Sequence, residues 1–300
     1  MKPCSTFKTF TACALLATGV TSARAAEYQP AADSTPDSIV LEGTIRDFKM
    51  WHPDFETYPN TYNKVAEELD PATGVPVLDM DYYQAKRGTS AQSVHSPQSF
   101  ATWFTDVEGV NLNIPHSITL TKDSVRPGVY WFAREKQMAA PYNYFFPIDN
   151  KGYGLTRKPK NKPYKYYSGG DVANHNYHFT YTIDTLFTYT TASKRDLDGD
   201  GRFGELFRSE SDPGDAMFFK FTGDDDVWVF VNNQLVVDLG GVHSQKTASV
   251  NIDDIAADLG LQVGHTYSLK LFFAERCTTE SNFRIETSML LSTETEPLYD

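Results

Sequence analysis

The C-terminal half of the chain alternates apolar and polar residues with the period of a β-strand. Between residues 178 and 190, Phe179, Tyr181, Ile183, Phe187 and Tyr189 share one parity, while threonines occupy most of the other. This alternation predicts a half-buried strand, and the stretches 267–273 and 283–289 repeat it. Residues 216–222 and 227–231 are apolar on both faces, which predicts strands that are covered from both sides.

Turn and helix signals separate these stretches. Asn232-Asn233 is followed by a second apolar stretch at 234–239, and because asparagine tolerates a positive φ, the pair predicts a two-residue hairpin turn. Asp253 and Asp254 are predicted to cap a short helix that ends near Leu259.

The first 150 residues have a weaker pattern. They predict a short helix at 65–69 and short strands at 102–107, 118–120 and 129–133. Many short strands, one minor helix and frequent glycine turns are typical of an all-β protein. We therefore expect an antiparallel β-sandwich or barrel with long loops and a minor α content.

The N-terminus has the pattern of a secretory signal peptide. Lys2 and Lys8 precede a moderately apolar run, and Ala23-Arg24-Ala25 gives an A-x-A cleavage pattern before Ala26. We therefore expect a secreted, extracellular protein. The expected organisation is a signal peptide at 1–25, a linker at 26–41, a β domain at 42–292 and a tail at 293–300.

Charge and cysteine content narrow the function classes. Removal of residues 1–25 takes away three basic residues and no acid, which moves the net charge from −12 to −15. A strongly acidic chain argues against a nucleic-acid partner and suits divalent cations or sugars. No later stretch is long and apolar enough to predict a membrane span. Cys277 is the one cysteine after residue 25, so the mature chain is expected to have no intramolecular disulfide.

Three consecutive aspartates, Asp224, Asp225 and Asp226, stand just before the apolar stretch 227–231. Like charges at this spacing repel each other and lose hydration when the surrounding structure packs. A bound Ca²⁺ would remove the repulsion. The alternative is a turn whose carboxylates accept backbone N–H groups or face water.

A second acidic motif lies at residues 196–207. Asp196, Asp198 and Asp200, with Gly201, match positions 1, 3, 5 and 6 of an EF-hand loop, but Phe207 stands where a bidentate glutamate is expected. The motif therefore predicts either a variant Ca²⁺ loop or an Asp- and Gly-rich hairpin.

The stretch 151–177 combines six basic residues with five interleaved tyrosines and one acid. Such a loop suits an acidic polysaccharide, and an ordinary solvated surface loop is the alternative.

Three blocks of sequence resemble the signatures of the fibro-slime domain family. They are GTIRDFKMWHPDFE at 43–56, GDDDVWVFVNNQLVVDLGGVH at 223–243 and FFAERCTTESNFRIETSMLL at 272–291. The family is similar to the protective-antigen-type β-barrel domain, which occurs in toxins, glycosidases and yeast adhesins. One departure is Cys277, where the family usually has histidine.

The resemblance implies a Ca²⁺-dependent carbohydrate site. Lectin members of the related domain hold Ca²⁺ through two adjacent aspartates, which correspond to Asp224 and Asp225, and through a second loop, whose candidates are Glu275 and Asn282. The ion is expected at an exposed end of the barrel, with sugar bound by Asp224 and Asp225 and by a nearby aromatic, Trp228. Asp226 is expected to contribute much less to Ca²⁺ and sugar binding.

The sequence leaves three candidate functions. The first is a secreted Ca²⁺-dependent carbohydrate-binding or adhesion module for an extracellular polysaccharide or glycan. The second is a structural matrix, slime or signalling protein that binds a protein partner. The third, a polysaccharide-active enzyme, is disfavoured because no nucleophile elbow, zinc-protease motif or phosphate loop is present, although carboxylate pairs are numerous.

Overall fold

The structure, a computed structural model, describes residues 36–56, 61–132, 145–149, 151–153, 175–196, 202, 204, 209, 214–278 and 281–292. The expected signal peptide and C-terminal tail lie outside the described residues, as do Asp198 and Asp200 and residues 154–174 of the basic loop.

The described residues form one large antiparallel sheet. Its strands are β1 (Ser38–Phe48), β2 (Asn111–Lys122), β3 (Tyr130–Phe132), β4 (Phe179–Thr188), β5 (Phe218–Gly223), β6 (Asp226–Val231), β7 (Gln234–Leu239), β8 (Lys246–Asn251), β9 (Thr266–Glu275) and β10 (Phe283–Thr287). The helices are α1 (Met80–Lys86), α2 (Pro97–Phe100) and α3 (Ile252–Ile255), with a 3-10 turn at Ala192–Lys194.

The strand order is β7-β6-β9-β4-β1-β2-β3-β10-β5-β8. The two edge strands, β7 and β8, approach each other, so the sheet curls into a nearly closed barrel. The expected all-β antiparallel barrel is therefore confirmed.

Alternation along β6 explains why this strand is apolar on both faces. Val227, Val229 and Val231 point into the barrel, where they join the main hydrophobic core. Trp228 and Phe230 point outward and pack in a second core with residues between 65 and 104. Both sets are fully buried, and each large apolar side chain buried in this way contributes about 1.5–3 kcal/mol relative to exposure.

The hairpin signal is confirmed. Asn232 and Asn233 join β6 to β7 with φ values of 49° and 63°. A two-residue turn with positive φ at both positions matches the right-handed twist of the strands that it joins.

Two predictions for the early part of the chain are wrong. Residues 65–69 are extended, because Val65 bridges to Leu78 and Glu68 bridges to Gln234 on the open edge of β7. Residues 102–107 form turns after α2, where the Asn111 side chain donates to the carbonyls of Thr102 and Thr105 at 2.9 Å each.

Two boundaries also change. The sheet begins at Ser38, which pairs with Thr121, so residues 38–41 belong to the barrel and not to the linker. The helix α3 has four residues and its N-cap is Asn251, whose Oδ1 accepts from the Asp253 backbone N–H at 3.0 Å. Asp253 lies inside the helix and accepts from the Arg195 guanidinium instead of capping.

Candidate functional site

Two chain connections meet at one end of the barrel. Asp224-Asp225 joins β5 to β6, and residues 276–282 join β9 to β10. Because β5 pairs with β10 and β6 pairs with β9, both connections cross between the same two strand pairs. This topology brings Glu275 and Asn282 beside the two aspartates.

Asp224 is held by Asn282. Its Oδ1 accepts from the Asn282 backbone N–H at 2.5 Å, and its Oδ2 accepts from the Asn282 side-chain Nδ2 at 2.9 Å. Asn282 is fully buried, so the orientation of the Asp224 carboxylate is fixed by the β9–β10 connection.

Asp225 accepts from two backbone groups. Its Oδ2 accepts from the Arg276 N–H at 3.0 Å, and its Oδ1 accepts from the His243 N–H at 3.3 Å. Asp225 thus accepts backbone N–H groups, as the alternative of a turn without a metal describes, and so do Asp224 and Asp226. Among the described residues, however, no cationic side chain forms an ion pair with Asp225.

Glu275 is the most weakly satisfied member of the group. Its Oε1 accepts from the Cys277 N–H at 3.2 Å, while its fully buried Oε2 has no hydrogen-bond partner among the described residues. A buried carboxylate oxygen without a donor is costly, so this atom is the best indication that a ligand belongs here.

Electrostatics supports the same conclusion. Burial, the neighbouring Asp224 and then Asp226 raise the pKa of Asp225 well above its usual range, although Arg276 opposes the shift. Burial and the charges of Asp225 and Asp224 raise the pKa of Glu275 in the same way. A cation or protons must therefore compensate the charge of these carboxylates.

Asp226 belongs to a different network. Its Oδ2 accepts from Arg276 Nε at 2.6 Å and its Oδ1 accepts from the Gly241 N–H at 2.6 Å. The Arg276 guanidinium also donates to the carbonyls of Asp54 and Ser93, at 3.0 and 2.8 Å. Asp226 and Arg276 therefore tie the barrel to the loops that cover it.

Two expectations about exposure are wrong. Asp224 and Asp225 are each only 4% exposed, so they do not project at an open rim. Trp228 is fully buried in the second core, and its Nε1 donates to Asp238 Oδ1 at 3.0 Å. It cannot stack on a sugar, because its ring is covered by residues that pack on the outer face of β6.

Sequence reasoning missed the aromatic side chains that are exposed at this end of the barrel. Trp51 is 62% exposed and Tyr62 is 56% exposed. The 49–56 loop is placed here because the Glu56 N–H donates to the Arg276 carbonyl at 2.8 Å. Trp51 lies in the first signature block, at 43–56, which is the sequence signal that marks this loop.

The oxygen-rich donor set is of the type that Ca²⁺ prefers. Asp224, Asp225 and Glu275 could supply carboxylate oxygens, and Asn282 could supply its amide oxygen if the amide turned. Within the described part of the chain, no three acidic, histidine or cysteine side chains already converge in metal-ligand geometry. The residues fit a cation in composition and charge, and the side chains would have to rearrange to coordinate it.

Of the three aspartates in the second acidic motif, the structure describes Asp196. Asp196 is half-buried at the start of the 196–207 stretch, whereas Asp198 and Asp200 lie outside the described residues. The hypothesis of a variant Ca²⁺ loop stays a prediction.

Comparison with known proteins places the site in a family segment. Residues 215–299 match the PA14 domain model, and this range contains Asp224, Asp225, Glu275 and Asn282. None of the described helices is both long and apolar enough to cross a membrane.

The chain is also similar to proteins of Dictyostelium discoideum. It is 38% identical to protein psiQ over 211 residues, which is 70% of this chain and 17% of psiQ. It is 36% identical to protein psiD over 261 residues, 85% of this chain and 42% of psiD. The chain thus spans less than half the length of these relatives.

Among solved structures, the PA14 domain of the MpAFP antifreeze protein aligns with 90% of this chain and with all of its own length. The alignment has 10% sequence identity and a TM-score of 0.29.

Proposed function

We propose that this chain, with its PA14-type segment at 215–299 and its similarity to the psi proteins, is a non-enzymatic, Ca²⁺-dependent carbohydrate-binding or adhesion module that acts outside the cell. The observation that carries the proposal is the buried pair Asp225 and Glu275, which has no cationic side-chain partner among the described residues.

The charge balance supports a bound cation. Four acidic side chains, Asp224, Asp225, Asp226 and Glu275, are at most 4% exposed, and Arg276 is the basic side chain that pairs with one of them. The remaining three carboxylates repel each other in a medium of low dielectric constant. A divalent cation offsets that repulsion and gives Glu275 Oε2 a partner.

The residues of this chain would then have distinct tasks. Asp225 and Glu275 would hold the ion from the β6 and β9 ends, and Asp224 from the β5 end. Asn282 already holds Asp224 in place, and its amide oxygen would face the ion after a rotation of the side chain. When bound, Ca²⁺ would supply open coordination positions to hydroxyl oxygens of a sugar.

Aromatic stacking would add to sugar binding. Trp51 is exposed at the same end of the barrel and replaces Trp228 in this role. An exposed aromatic ring can pack on the apolar C–H face of a sugar, while the polar atoms of the site fix its orientation.

Secretion is part of the proposal and rests on the signal-peptide pattern of residues 1–25. N-terminal sequencing of exported protein should begin at or near Ala26. Exported protein that begins at Met1 would contradict this part.

The main experiment compares Asp225→Asn with Asp258→Asn. Asp258 is an exposed aspartate with no described hydrogen bond, so its variant controls for loss of one charge. Ca²⁺ binding is measured by calorimetry, and sugar binding on a glycan array with and without a chelator. We expect Asp225→Asn to lose both and Asp258→Asn to keep both.

Three outcomes decide between the functions. If Asp225→Asn keeps parental Ca²⁺ and glycan binding, the proposed site is wrong. If the parent protein binds Ca²⁺ but no glycan, a protein partner replaces the sugar. Release of product from a bound glycan would show an enzyme.

A further inference from the structure

A cavity lies where the two edges of the sheet meet. The segment 61–69 runs along the open edge of β7 and pairs with it at both ends: Leu235 N–H donates to Glu67 at 2.8 Å, and Asn63 N–H donates to Gly240 at 3.2 Å. Between these contacts the segment leaves β7, because the Lys64 carbonyl accepts from Asp79 N–H at 3.0 Å instead. The gap opens to solvent beside β8.

The cavity has a volume of about 180 Å³. The aromatic and polar side chains that line it are Tyr62, Asn63, Lys64, Tyr82, Asp238 and Lys246, and Leu239 and Gly240 complete the wall. The lining therefore combines two aromatic rings and one leucine side chain with two ammonium groups, one amide and one carboxylate, so that apolar and polar groups surround one small space. A space of this size suits one sugar ring better than a drug-sized ligand.

Asn63 is the buried polar group that points to a ligand. The residue is 6% exposed, and its side-chain Nδ2 has no hydrogen-bond partner among the described residues. Buried amide donors normally find an acceptor, so an unpartnered one at the wall of an open cavity indicates an acceptor that binds there.

Asp238 is fixed in position at the mouth. Its Oδ1 accepts from Trp228 Nε1 and from the Gly240 N–H, both at 3.0 Å. No donor of the described residues contacts Oδ2, which leaves this oxygen to accept a hydrogen bond from a ligand hydroxyl. Because the donor Trp228 is fully buried, the carboxylate is held rigidly.

The two lysines are oriented by aromatic rings. Lys246 Nζ lies 4.4 Å from the centroid of the Tyr62 ring, and Lys64 Nζ lies 5.5 Å from that of Tyr82. Neither ammonium forms an ion pair with a described carboxylate within 4.0 Å. Two cations thus face one carboxylate, which gives the cavity a net positive charge on an otherwise acidic chain.

We infer that this cavity binds one uronic acid residue of an acidic polysaccharide. The sugar carboxylate would pair with Lys64 and Lys246, and its hydroxyls would donate to Asp238 Oδ2. A ring or hydroxyl oxygen would accept from Asn63 Nδ2 after the amide turns towards the cavity, and the C–H face would pack on Tyr62. This inference rests on the proposed glycan-binding function and adds the class of sugar and a site separate from the carboxylate cluster.

Charge complementarity excludes the simpler occupants. A neutral hexose could use Asp238 and Asn63 but would leave two ammonium groups unpaired. Inorganic phosphate would pair with the lysines but has no apolar face for Tyr62, and a negatively charged group of that size would stand close to Asp238. A uronic acid uses all four kinds of group.

The experiment titrates D-galacturonate and D-galactose into the full chain, freed of Ca²⁺ by dialysis, with binding followed by NMR. The double variant Lys64→Gln/Lys246→Gln removes both charges and leaves polar side chains that are one atom shorter. We expect it to weaken galacturonate binding by about tenfold or more, since two charge-assisted contacts are lost. The control is Lys270→Gln, whose Nζ lies 2.9 Å from Asp184 and outside the cavity.

A second variant tests the role of Asn63 apart from folding. Asn63→Ala removes a donor that has no protein partner, so we expect weaker galacturonate binding with an unchanged or higher melting temperature. A lower melting temperature with unchanged binding would assign Asn63 to the fold and overturn its place in the site.

The result is separable from the proposed function. Equal affinity for galacturonate and galactose, or no effect of the lysine pair, would overturn the uronic acid site even if Asp225→Asn abolishes Ca²⁺-dependent glycan binding. Conversely, if Asp225→Asn behaves like the parent while the lysine pair abolishes galacturonate binding, the uronic acid site stands and the calcium proposal fails.

Discussion

Arg276 donates from Nε to Asp226 Oδ2 at 2.6 Å, and both side chains are fully buried. The guanidinium also lies 4.8 Å from the centroid of the Trp103 ring. The third aspartate of the run is therefore a structural residue, committed to an ion pair, whereas the second is not. The ion pair explains why the third of these acids is tolerated at the start of a buried strand, and it leaves the charges of Asp224 and Asp225 to be compensated in another way.

We predict that Asp226→Asn lowers the free energy of unfolding by about 3–5 kcal/mol, because it leaves the Arg276 charge buried without its partner. Urea unfolding at neutral pH measures the change. Asp106→Asn is the matched control, since Asp106 pairs with Arg46 at 2.8 Å but its side chain is 58% exposed. We expect that control to cost less than about 1 kcal/mol. Similar losses from both variants would contradict the structural role of Asp226.

We predict that Glu275→Gln stabilises the Ca²⁺-free protein at neutral pH. Burial and the charges of Asp225 and Asp224 raise the pKa of Glu275, so a neutral amide removes repulsion while Oε1 still accepts from Cys277 N–H. The same variant should lose most of the stabilisation that Ca²⁺ gives to the parent. Melting curves with and without Ca²⁺ test both statements.

Glu286→Gln is the opposite control. Burial favours its neutral form, but hydrogen bonds from Arg284 and Arg126 outweigh burial and lower the pKa of Glu286. This substitution should destabilise the protein equally with and without Ca²⁺. If Glu275→Gln behaved like Glu286→Gln, the cation site would be wrong.

The stability of the Ca²⁺-free protein should fall as the pH rises from about 4 towards neutrality. Burial raises the pKa of Asp47 to about 6, and it raises the pKa of Asp225 and Glu275 well above their usual range. These carboxyls bind protons more tightly in the folded chain than in the unfolded chain, so unfolding releases protons. Saturating Ca²⁺ should remove the contributions of Asp225 and Glu275 to this pH dependence of stability and leave the contribution of Asp47. Denaturant unfolding of the Ca²⁺-free protein across this pH range measures the change. A free energy of unfolding that increases with pH would contradict the prediction.

Asn233 should tolerate glycine but not alanine. Its φ of 63° is a left-handed conformation, which costs most residues with a Cβ about 1–2 kcal/mol but which glycine and asparagine adopt more easily. Asn233→Ala should therefore lose about 1 kcal/mol of unfolding free energy, and Asn233→Gly should change it little. Equal losses in the two variants would mean that the asparagine side chain, and not its backbone, is required.

The strands that sequence reasoning placed correctly are those with clean alternation. In β4 and β9 the inward residues are mostly aromatic or aliphatic and the outward ones are mostly threonine or charged, so the period of two is visible. β1 was missed because Gly43 interrupts its pattern. The glycine is required by packing: a Cβ there would lie 2.6 Å from the Thr182 carbonyl oxygen and from the Tyr181 ring.

The sequence predicts which residues form the candidate site, but it does not predict that they are buried. The resemblance grouped Glu275 and Asn282 with the aspartates, and the crossing of two connections brings these residues together. Their burial depends on distant segments: His243 N–H contacts Asp225, and the carbonyls of Asp54 and Ser93 hold Arg276. Trp228 was misassigned because the sequence does not show which segment covers the outer face of β6.

The sheet order has a kinetic consequence. β10 is the strand that joins β3 to β5, and it comes last of the ten, while β1 pairs with β4 across a long separation, with Gly43 opposite Ile183. Such high contact order predicts folding on the order of milliseconds to seconds. Until Phe283–Thr287 docks, the aromatic inner faces of its neighbours stay open to other chains. We therefore expect aggregation during refolding, and not low final stability, to limit the recovery of folded protein.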